Sequence, residues 1–183
     1  MPSYQNQEHI NCMKKANVAC KFSGPVQFML SQLKALGCEI SLENKRLLCE
    51  PCDSKLFGGF DPDAKEVILC ENNLSSQEQY NTILTHELVH AYDVCRVKYD
   101  TNNLRHLACS EIRAANLSGD CSFWKEKPTS VKAHYQTCVK RKAVESILCM
   151  KNISRGKAEQ IVDSVFTECF KDTAPFSKIP LLK

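Results

Sequence analysis

His86-Glu87-Leu88-Val89-His90 is the stretch that decides the fold of this 183-residue chain. It matches the pattern H-E-x-x-H and lies within residues 77–99, which contain neither Pro nor Gly. Side chains four residues apart share one face of a helix, so His86 and His90 can bind one Zn²⁺ from the same side. Glu87 lies beside that face, where it can accept a proton from water. The combination predicts metal-assisted peptide hydrolysis.

The residues around the motif predict a buried helix. Ser75 followed by Glu78 is a capping-box pattern, which predicts that the helix starts at Ser75. Apolar side chains lie on more than one face of it, namely Ile83, Leu84, Leu88, Val89 and Tyr92. Two histidines and a glutamate inside such a helix are costly without a partner, and a metal ion would supply one.

A third metal ligand is expected on the next helix. The first helix is predicted to end near Lys98, and a second to span residues 104–118 before Gly119. If the two run antiparallel, His90 lies about eight residues, or ~12 Å, before the turn, and its level partner lies near residue 111. This favours Glu111 as the third ligand, with His106 as the alternative.

Several nearby residues keep two interpretations. Glu111 could instead be a surface glutamate paired with Arg113 or a lysine, and His106 a capping or packing histidine. Asp93 either orients a ligating imidazole or is a solvated aspartate. Stabilisation of an oxyanion could come from one of three side chains, each more often structural than catalytic. These three are Arg113, His134 and Tyr135.

Composition indicates an ordinary globular protein. Hydrophobic residues make up 43% and charged residues 25%, and the net charge of +3 gives no sign of nucleic-acid binding. The expected organisation is a loosely ordered segment over residues 1–22, one metallopeptidase domain over 23–174 and an irregular tail over 175–183.

Twelve cysteines predict an oxidising compartment and several disulfides, whose pairing the sequence does not give. They are Cys12, Cys20, Cys38, Cys49, Cys52, Cys70, Cys95, Cys109, Cys121, Cys138, Cys149 and Cys169. Cys49 and Cys52 form a C-x-x-C pair without a second one, which favours disulfides over a structural zinc site.

Residues 1–21 lack the apolar region of a secretory signal, and no segment is apolar enough to span a membrane. The mitochondrial intermembrane space fits this combination, as does a truncated secreted protein.

The remaining pattern predicts an α+β fold with a small antiparallel sheet packed on the H-E-x-x-H helix and further helices, as in zincin-type proteases. A helix opens at Pro25 and ends at Gly37. Residues 39–48 are predicted as strand-turn-strand, and residues 55–60 and 66–70 as two strands flanking a turn. Two more helices are expected, one over residues 130–149 and one capped by Ser154.

Two long segments resemble a known family. They are THELVHAYD at residues 85–93 and RHLACSEIRAANLSGDC at residues 105–121. Both are similar to the mitochondrial inner-membrane-associated metalloprotease family of the ATP synthase assembly pathway, also called the Ku-binding protein family. The resemblance extends to GGFD at 58–61, VILC at 67–70 and the regions of Cys138 and Cys169, and covers roughly residues 12–180.

The resemblance implies a zinc endopeptidase of the intermembrane space, attached peripherally to the inner membrane. In fungi such a protease removes the N-terminal extension of a mitochondrially encoded ATP synthase subunit, and it is also a chaperone for assembly of the membrane sector. The resemblance assigns the metal to His86 and His90 and catalysis to Glu87. Cys20 and Cys149 look additional to the usual cysteines. The alternative is an assembly chaperone or binding module with a dormant zinc site. A nuclear partner of DNA-repair factors is a weaker interpretation, which the cysteine content opposes.

Overall fold

The computed structural model describes residues 4–53, 55–121 and 131–180, which fall into two compact units, residues 1–97 and 98–183. The first unit contains α1 (Tyr4–Phe22), α2 (Gly24–Ala35), β1 (Leu47–Glu50), β2 (Gly58–Asp61), β3 (Glu66–Cys70) and α3 (Gln77–Arg96). The second contains α4 (Leu104–Leu117), α5 (Val131–Met150) and α6 (Arg155–Lys171). The chain is therefore helix-rich α+β, as predicted, and the single domain expected over residues 23–174 stays a prediction.

The sheet of the first unit is mixed, so the prediction of an antiparallel sheet was wrong. The strand order is β1-β3-β2. The predicted hairpin is present, because β2 and β3 pair antiparallel on either side of the turn at residues 62–65. β1, however, pairs parallel with β3, with Leu47 opposite Val67. A turn fixes the partner of a hairpin strand, whereas nothing local in the sequence fixes the partner of β1.

Residues 51–57 carry the chain from the end of β1 to the start of β2, past β3. The ends they join lie at one end of the sheet, since Glu50 pairs with Cys70 and Gly58 with Leu69. A disulfide between Cys52 and Cys70 fixes this connection to β3. The side chain of Asn73 also donates hydrogen bonds to the carbonyls of Asp53, at 2.8 Å, and Leu56, at 2.6 Å.

The strand-turn-strand predicted for residues 39–48 is only half present. The turn exists, with Lys45 at a φ of 58°, but the structure has a single strand that begins at Leu47. Asn44 accounts for the missing strand, because its side chain accepts from the backbone of Ser41 at 3.0 Å and of Arg46 at 3.1 Å. These bonds satisfy backbone groups that a strand ladder would otherwise use.

The N-terminal segment predicted to be loosely ordered is helical from Tyr4 to Phe22, so that prediction was wrong there. Its mean hydropathy is low, and over residues 7–22 only a narrow stripe is buried. Cys12, Ala16 and Ala19 lie at helical spacing and are each 0% exposed. Small side chains in that stripe let α1 pack against α2, α3 and β1.

α3, the helix of the H-E-x-x-H motif, is fixed at both ends. Its N-cap is Ser76, with Gln79 completing the capping box, one residue later than the predicted pair Ser75 and Glu78. Near its start, Gln77 donates to the carbonyl of Lys15 on α1 at 3.0 Å. A disulfide joins its last turn, at Cys95, to Cys38.

The second unit is a three-helix cluster in which α4 packs against both α5 and α6. The predicted caps are confirmed: Ser154 caps α6, and Gly119 follows the end of α4 with a φ of 81°. The buried side chains that the helices share include Ile112 of α4, Val139 and Ile147 of α5, and Val162 of α6. An irregular tail was predicted over residues 175–183. Its described part, residues 175–180, forms no helix or strand, and neither do residues 172–174, which precede it.

Five disulfides confirm the prediction of several cystines. They are Cys12–Cys49, Cys38–Cys95, Cys52–Cys70, Cys109–Cys169 and Cys121–Cys138. The two cysteines of the C-x-x-C pair have different partners, which agrees with the disulfide role favoured for them. Cys20 and Cys149, the two that looked additional, remain thiols. Within the described part of the chain, no helix is long and apolar enough to cross a bilayer.

Candidate metal centre

His86 and His90 lie one turn apart on α3, and both side chains are partly exposed. Their ring centroids are 4.9 Å apart, with the ring planes at 73°. One nitrogen of each ring lies within 4.8 Å of one nitrogen of the other. The spacing predicted from the motif therefore brings two imidazole donors to one place, as binding of a shared metal ion requires.

Glu87 lies between the two histidines in sequence but on a more buried part of α3, where it is 6% exposed. Its carboxylate faces β2: a Cβ placed on Gly58 would lie 3.3 Å from Oε1 of Glu87. Sequence reasoning missed this neighbour of Glu87. The available signal was the glycine itself, because glycine inside a strand often marks a close approach of another group.

Asp93 is buried, at 4% exposure, so the interpretation as a solvated aspartate was wrong. Its carboxylate accepts a hydrogen bond from Nε of Arg96 at 3.1 Å. The Arg96 guanidinium in turn lies over the ring of Tyr92, 5.4 Å from its centroid. This arrangement compensates the buried charge of Asp93 within the last two turns of α3.

In the second unit, Glu111 lies near the middle of α4 and is 3% exposed, so its interpretation as a surface glutamate was wrong. His106 lies in the first turn of the same helix, where Asn103 is the N-cap. Nδ1 of His106 accepts from the backbone N–H of Asp100 at 3.2 Å, and its ring lies 6.0 Å from that of Tyr99. These contacts give His106 the capping and packing role that was its alternative interpretation.

Arg113, one of the three oxyanion candidates, is 1% exposed and forms an ion pair of 2.7 Å with Asp172. It also donates to the carbonyls of Asp172 and Ala174. These contacts fix the segment after α6 to α4. These contacts give Arg113 a structural role in the second unit.

Tyr135 is also structural in its contacts. Its hydroxyl donates to the carbonyl of Asn116 at 2.7 Å, and its ring meets that of Phe170 edge to face. Burial, with a smaller contribution from Asp120, raises the pKa of Tyr135 to about 12. His134, the third candidate, is partly exposed on α5.

The imidazole donors fit a transition metal such as zinc better than magnesium or calcium. Zinc is bound by imidazole nitrogen together with carboxylate oxygen, whereas magnesium and calcium prefer oxygen ligands alone. His86 and His90 supply the two nitrogens from one helix face. Cysteine thiolates, the other usual zinc ligands, are largely excluded because ten of the twelve are in disulfides.

Comparison with known proteins relates almost the whole chain to one group. The sequence pattern of the Peptidase M76 family matches residues 10–177. The chain is 46% identical over 173 residues to the mitochondrial inner membrane protease ATP23 homolog of Xenopus laevis, covering 92% of this chain and 73% of that protein. It is 44% identical to the homolog of Danio rerio, covering 92% and 68%. It is 39% identical over 183 residues to mitochondrial inner membrane protease atp23 of Schizosaccharomyces pombe, covering 97% of both chains. No solved structure matches the chain.

Proposed function

This chain belongs to the Peptidase M76 family, and we propose that it is a zinc-dependent endopeptidase of the mitochondrial intermembrane space. The observation that carries the proposal is the pair of imidazoles of His86 and His90, 4.9 Å apart beside the buried carboxylate of Glu87. The family is one of metallopeptidases, and the relatives are named as proteases. Its substrate is therefore proposed to be a protein or peptide.

We propose that His86, His90 and Glu111 hold the zinc. The observed helix bounds support the choice of Glu111. His90 lies six residues before Arg96, where α3 ends, and Glu111 lies seven residues after Leu104, where α4 begins. The two residues are therefore at similar distances along the chain from the connection between the helices. A carboxylate that is 3% exposed also suits a ligand, because buried carboxylates are normally paired with a cation or bound to a metal.

When bound, zinc supplies a Lewis acid that polarises the scissile carbonyl and makes water more acidic. Glu87 is the proposed general base. Its carboxylate takes a proton from the attacking water as the new C–O bond forms, and it then delivers that proton to the amide nitrogen. The nitrogen takes the electron pair of the breaking C–N bond and leaves as an amine. Burial of Glu87 keeps bulk water from competing for the proton.

For the first unit we propose a zincin-like architecture. The support is the position of the H-E-x-x-H helix, since α3 packs against β2 and β3 in that unit. The same packing places the carboxylate of Glu87 against Gly58 of β2.

The proposed location rests on two independent observations. The relatives are named as mitochondrial inner membrane proteases, and five disulfides indicate an oxidising compartment. The intermembrane space, with peripheral attachment to the inner membrane, meets both conditions. From the family resemblance we propose a subunit of the ATP synthase membrane sector as substrate or as client for assembly.

The test is cleavage of a peptide that spans the N-terminal extension of a mitochondrially encoded ATP synthase subunit. The oxidised, zinc-loaded protein is expected to cleave it, and Glu87→Gln is expected to lose cleavage while keeping its zinc. Glu78→Gln is the matched control, because Glu78 is an exposed glutamate nine residues earlier on the same helix. It is expected to cleave like the unmodified protein.

Cleavage by Glu87→Gln at the unmodified rate would contradict the role of Glu87. Absence of cleavage by the unmodified protein, together with retained zinc and support of ATP synthase assembly, would overturn the peptidase proposal. That result would instead establish a chaperone or binding module with a dormant site.

A further inference from the structure

Gly58, the first residue of β2, lies directly against α3. It pairs with Leu69 of β3, so its backbone position is fixed by the ladder. A Cβ added to Gly58 would lie 2.7 Å from Cγ2 of Ile83, 3.0 Å from the carbonyl oxygen of Ile68 and 3.3 Å from Oε1 of Glu87. The first distance is shorter than carbon atoms tolerate without bonding. Any side chain at this position would therefore force a displacement.

The groups around Gly58 differ in how easily they can move. Ile68 is in the central strand β3 and contributes a backbone oxygen, which the sheet fixes. Ile83 is β-branched and on a helix, where one χ1 rotamer is strongly preferred, so its Cγ2 cannot turn away at low cost. The remaining movement is a shift of α3 away from β2.

A shift at Ile83 is transmitted to the proposed general base. Ile83 and Glu87 are four residues apart on α3 and therefore lie one above the other on one face. Glu87 also has a direct contact with the same space, because its Oε1 would lie 3.3 Å from the added carbon. Both routes displace the Glu87 carboxylate when position 58 carries a side chain.

Gly59, the next residue, is a natural control. It lies in the same strand and pairs with Ile68, but a Cβ added there would have no atom within 4 Å. Alanine at position 59 has room and an ordinary strand backbone. The requirement for glycine on steric grounds is therefore specific to Gly58, on the side of the strand that faces α3.

We propose that Gly58 is a positioning residue. Because it has no side chain, the carboxylate of Glu87 can occupy its observed position against β2. Because this inference rests on the proposed role of Glu87, its test includes a measurement that needs no catalysis. The side-chain carboxyl ¹³C resonance of Glu87, at fixed pH in the metal-free protein, reports the surroundings of that carboxylate. Its assignment follows from its loss in Glu87→Gln.

Gly58→Ala is expected to move this resonance, and Gly59→Ala is expected to leave it in place. The double variant Gly58→Ala, Ile83→Ala removes the shortest contact and is expected to bring the resonance back towards its position in Ile83→Ala alone. The double variant also keeps the test open if Gly58→Ala does not fold. An equal response of the resonance to alanine at positions 58 and 59 would overturn the inference.

The second measurement is peptide cleavage by the zinc-loaded variants. A general base displaced by a fraction of an ångström to one ångström is expected to lower kcat by roughly tenfold to a hundredfold. KM and the zinc content are expected to stay as in the unmodified protein, and Gly59→Ala is expected to keep its kcat. A rise of KM alone in Gly58→Ala would contradict a positioning role. Absence of cleavage by the unmodified protein would contradict the proposed function. The ¹³C resonance would still test whether Gly58 positions the carboxylate of Glu87.

Discussion

The imidazole rings of His86 and His90 lie 4.9 Å apart on one face of α3, with their planes at 73°. Four residues of helix produce this proximity, and the helix is fixed at its first turn by a capping box and at its last turn by a disulfide. Both anchors lie outside the motif. The surrounding fold therefore fixes the helix that carries the two imidazoles, which lowers the cost of ordering them as ligands.

The third ligand can be identified by zinc affinity. Glu111→Ala is expected to weaken zinc binding by at least about a hundredfold, since even substitutions of residues that only support a ligand cost 10–100-fold. His106→Ala is expected to keep its zinc affinity, because the described contacts of His106 are with the Asp100 backbone and Tyr99. Competition against a chelator gives both values. The reverse order of the two effects would assign the site to His106.

Two thiols are expected to react with iodoacetamide in the unreduced protein, at very different rates. Cys149 is exposed and should react first. Burial, with a smaller contribution from Glu43, raises the pKa of Cys20 to about 11. Because only the thiolate reacts, Cys20 should be slow at pH 8 and accelerate as the pH rises towards 11. Mass spectrometry of the intact protein should count two additions, and more than two would contradict the disulfides.

The Arg113–Asp172 ion pair is expected to stabilise the second unit, because the Arg113 side chain is buried. Arg113→Met should lower the free energy of unfolding by about 2–3 kcal/mol, because it removes the ion pair with Asp172 and the hydrogen bonds from a charged donor to the carbonyls of Asp172 and Ala174. Arg141→Met is the matched control, since the ion pair of Arg141 with Glu145 is exposed and typically contributes less than ~1 kcal/mol. Urea unfolding of the oxidised proteins measures both, and equal losses would contradict the account.

Tyr135 is another candidate for stabilising the oxyanion. The variant Tyr135→Phe distinguishes a structural role of its hydroxyl from a catalytic one. The variant loses the hydrogen bond to Asn116, and its free energy of unfolding is expected to fall by about 1 kcal/mol. Its kcat and zinc content are expected to be unchanged. A large fall in kcat with intact stability would show that the Tyr135 hydroxyl acts on the substrate.

The sequence predicted best what depends on local signals. Ser154 and Gly119 mark helix ends because capping chemistry acts within a few residues, and both are found where they were expected. The start of α3 was placed one residue early, because Ser75 with Glu78 and Ser76 with Gln79 both fit the capping box. Only the backbone path into the helix distinguishes the two pairs.

What the sequence could not supply depends on contacts between distant segments. Each disulfide joins residues that are 17 to 60 positions apart, and twelve cysteines allow many pairings. The parallel partner of β1 is likewise a product of the fold. α1 was missed although Cys12, Ala16 and Ala19 repeat at helical spacing, because small side chains give a weak apolar signal.

At the candidate site, the motif alone located the two imidazoles and the carboxylate between them. The burial of Asp93 and its bond to Arg96 were not predictable, because both residues are of types usually found at the surface. The close approach of Gly58 to Glu87 depends on how α3 packs on the sheet, which no pattern within α3 encodes.

Zinc content is the most direct test of the central claim, that His86 and His90 hold a catalytic metal. After zinc loading and gel filtration, the unmodified protein is expected to carry about one zinc ion per chain, as a three-ligand catalytic site does. The variant His86→Ala, His90→Ala should carry none, whereas His9→Ala, with its histidine exposed on α1, should carry the unmodified amount. A double variant that still binds its zinc, or an unmodified protein that never does, would contradict the account.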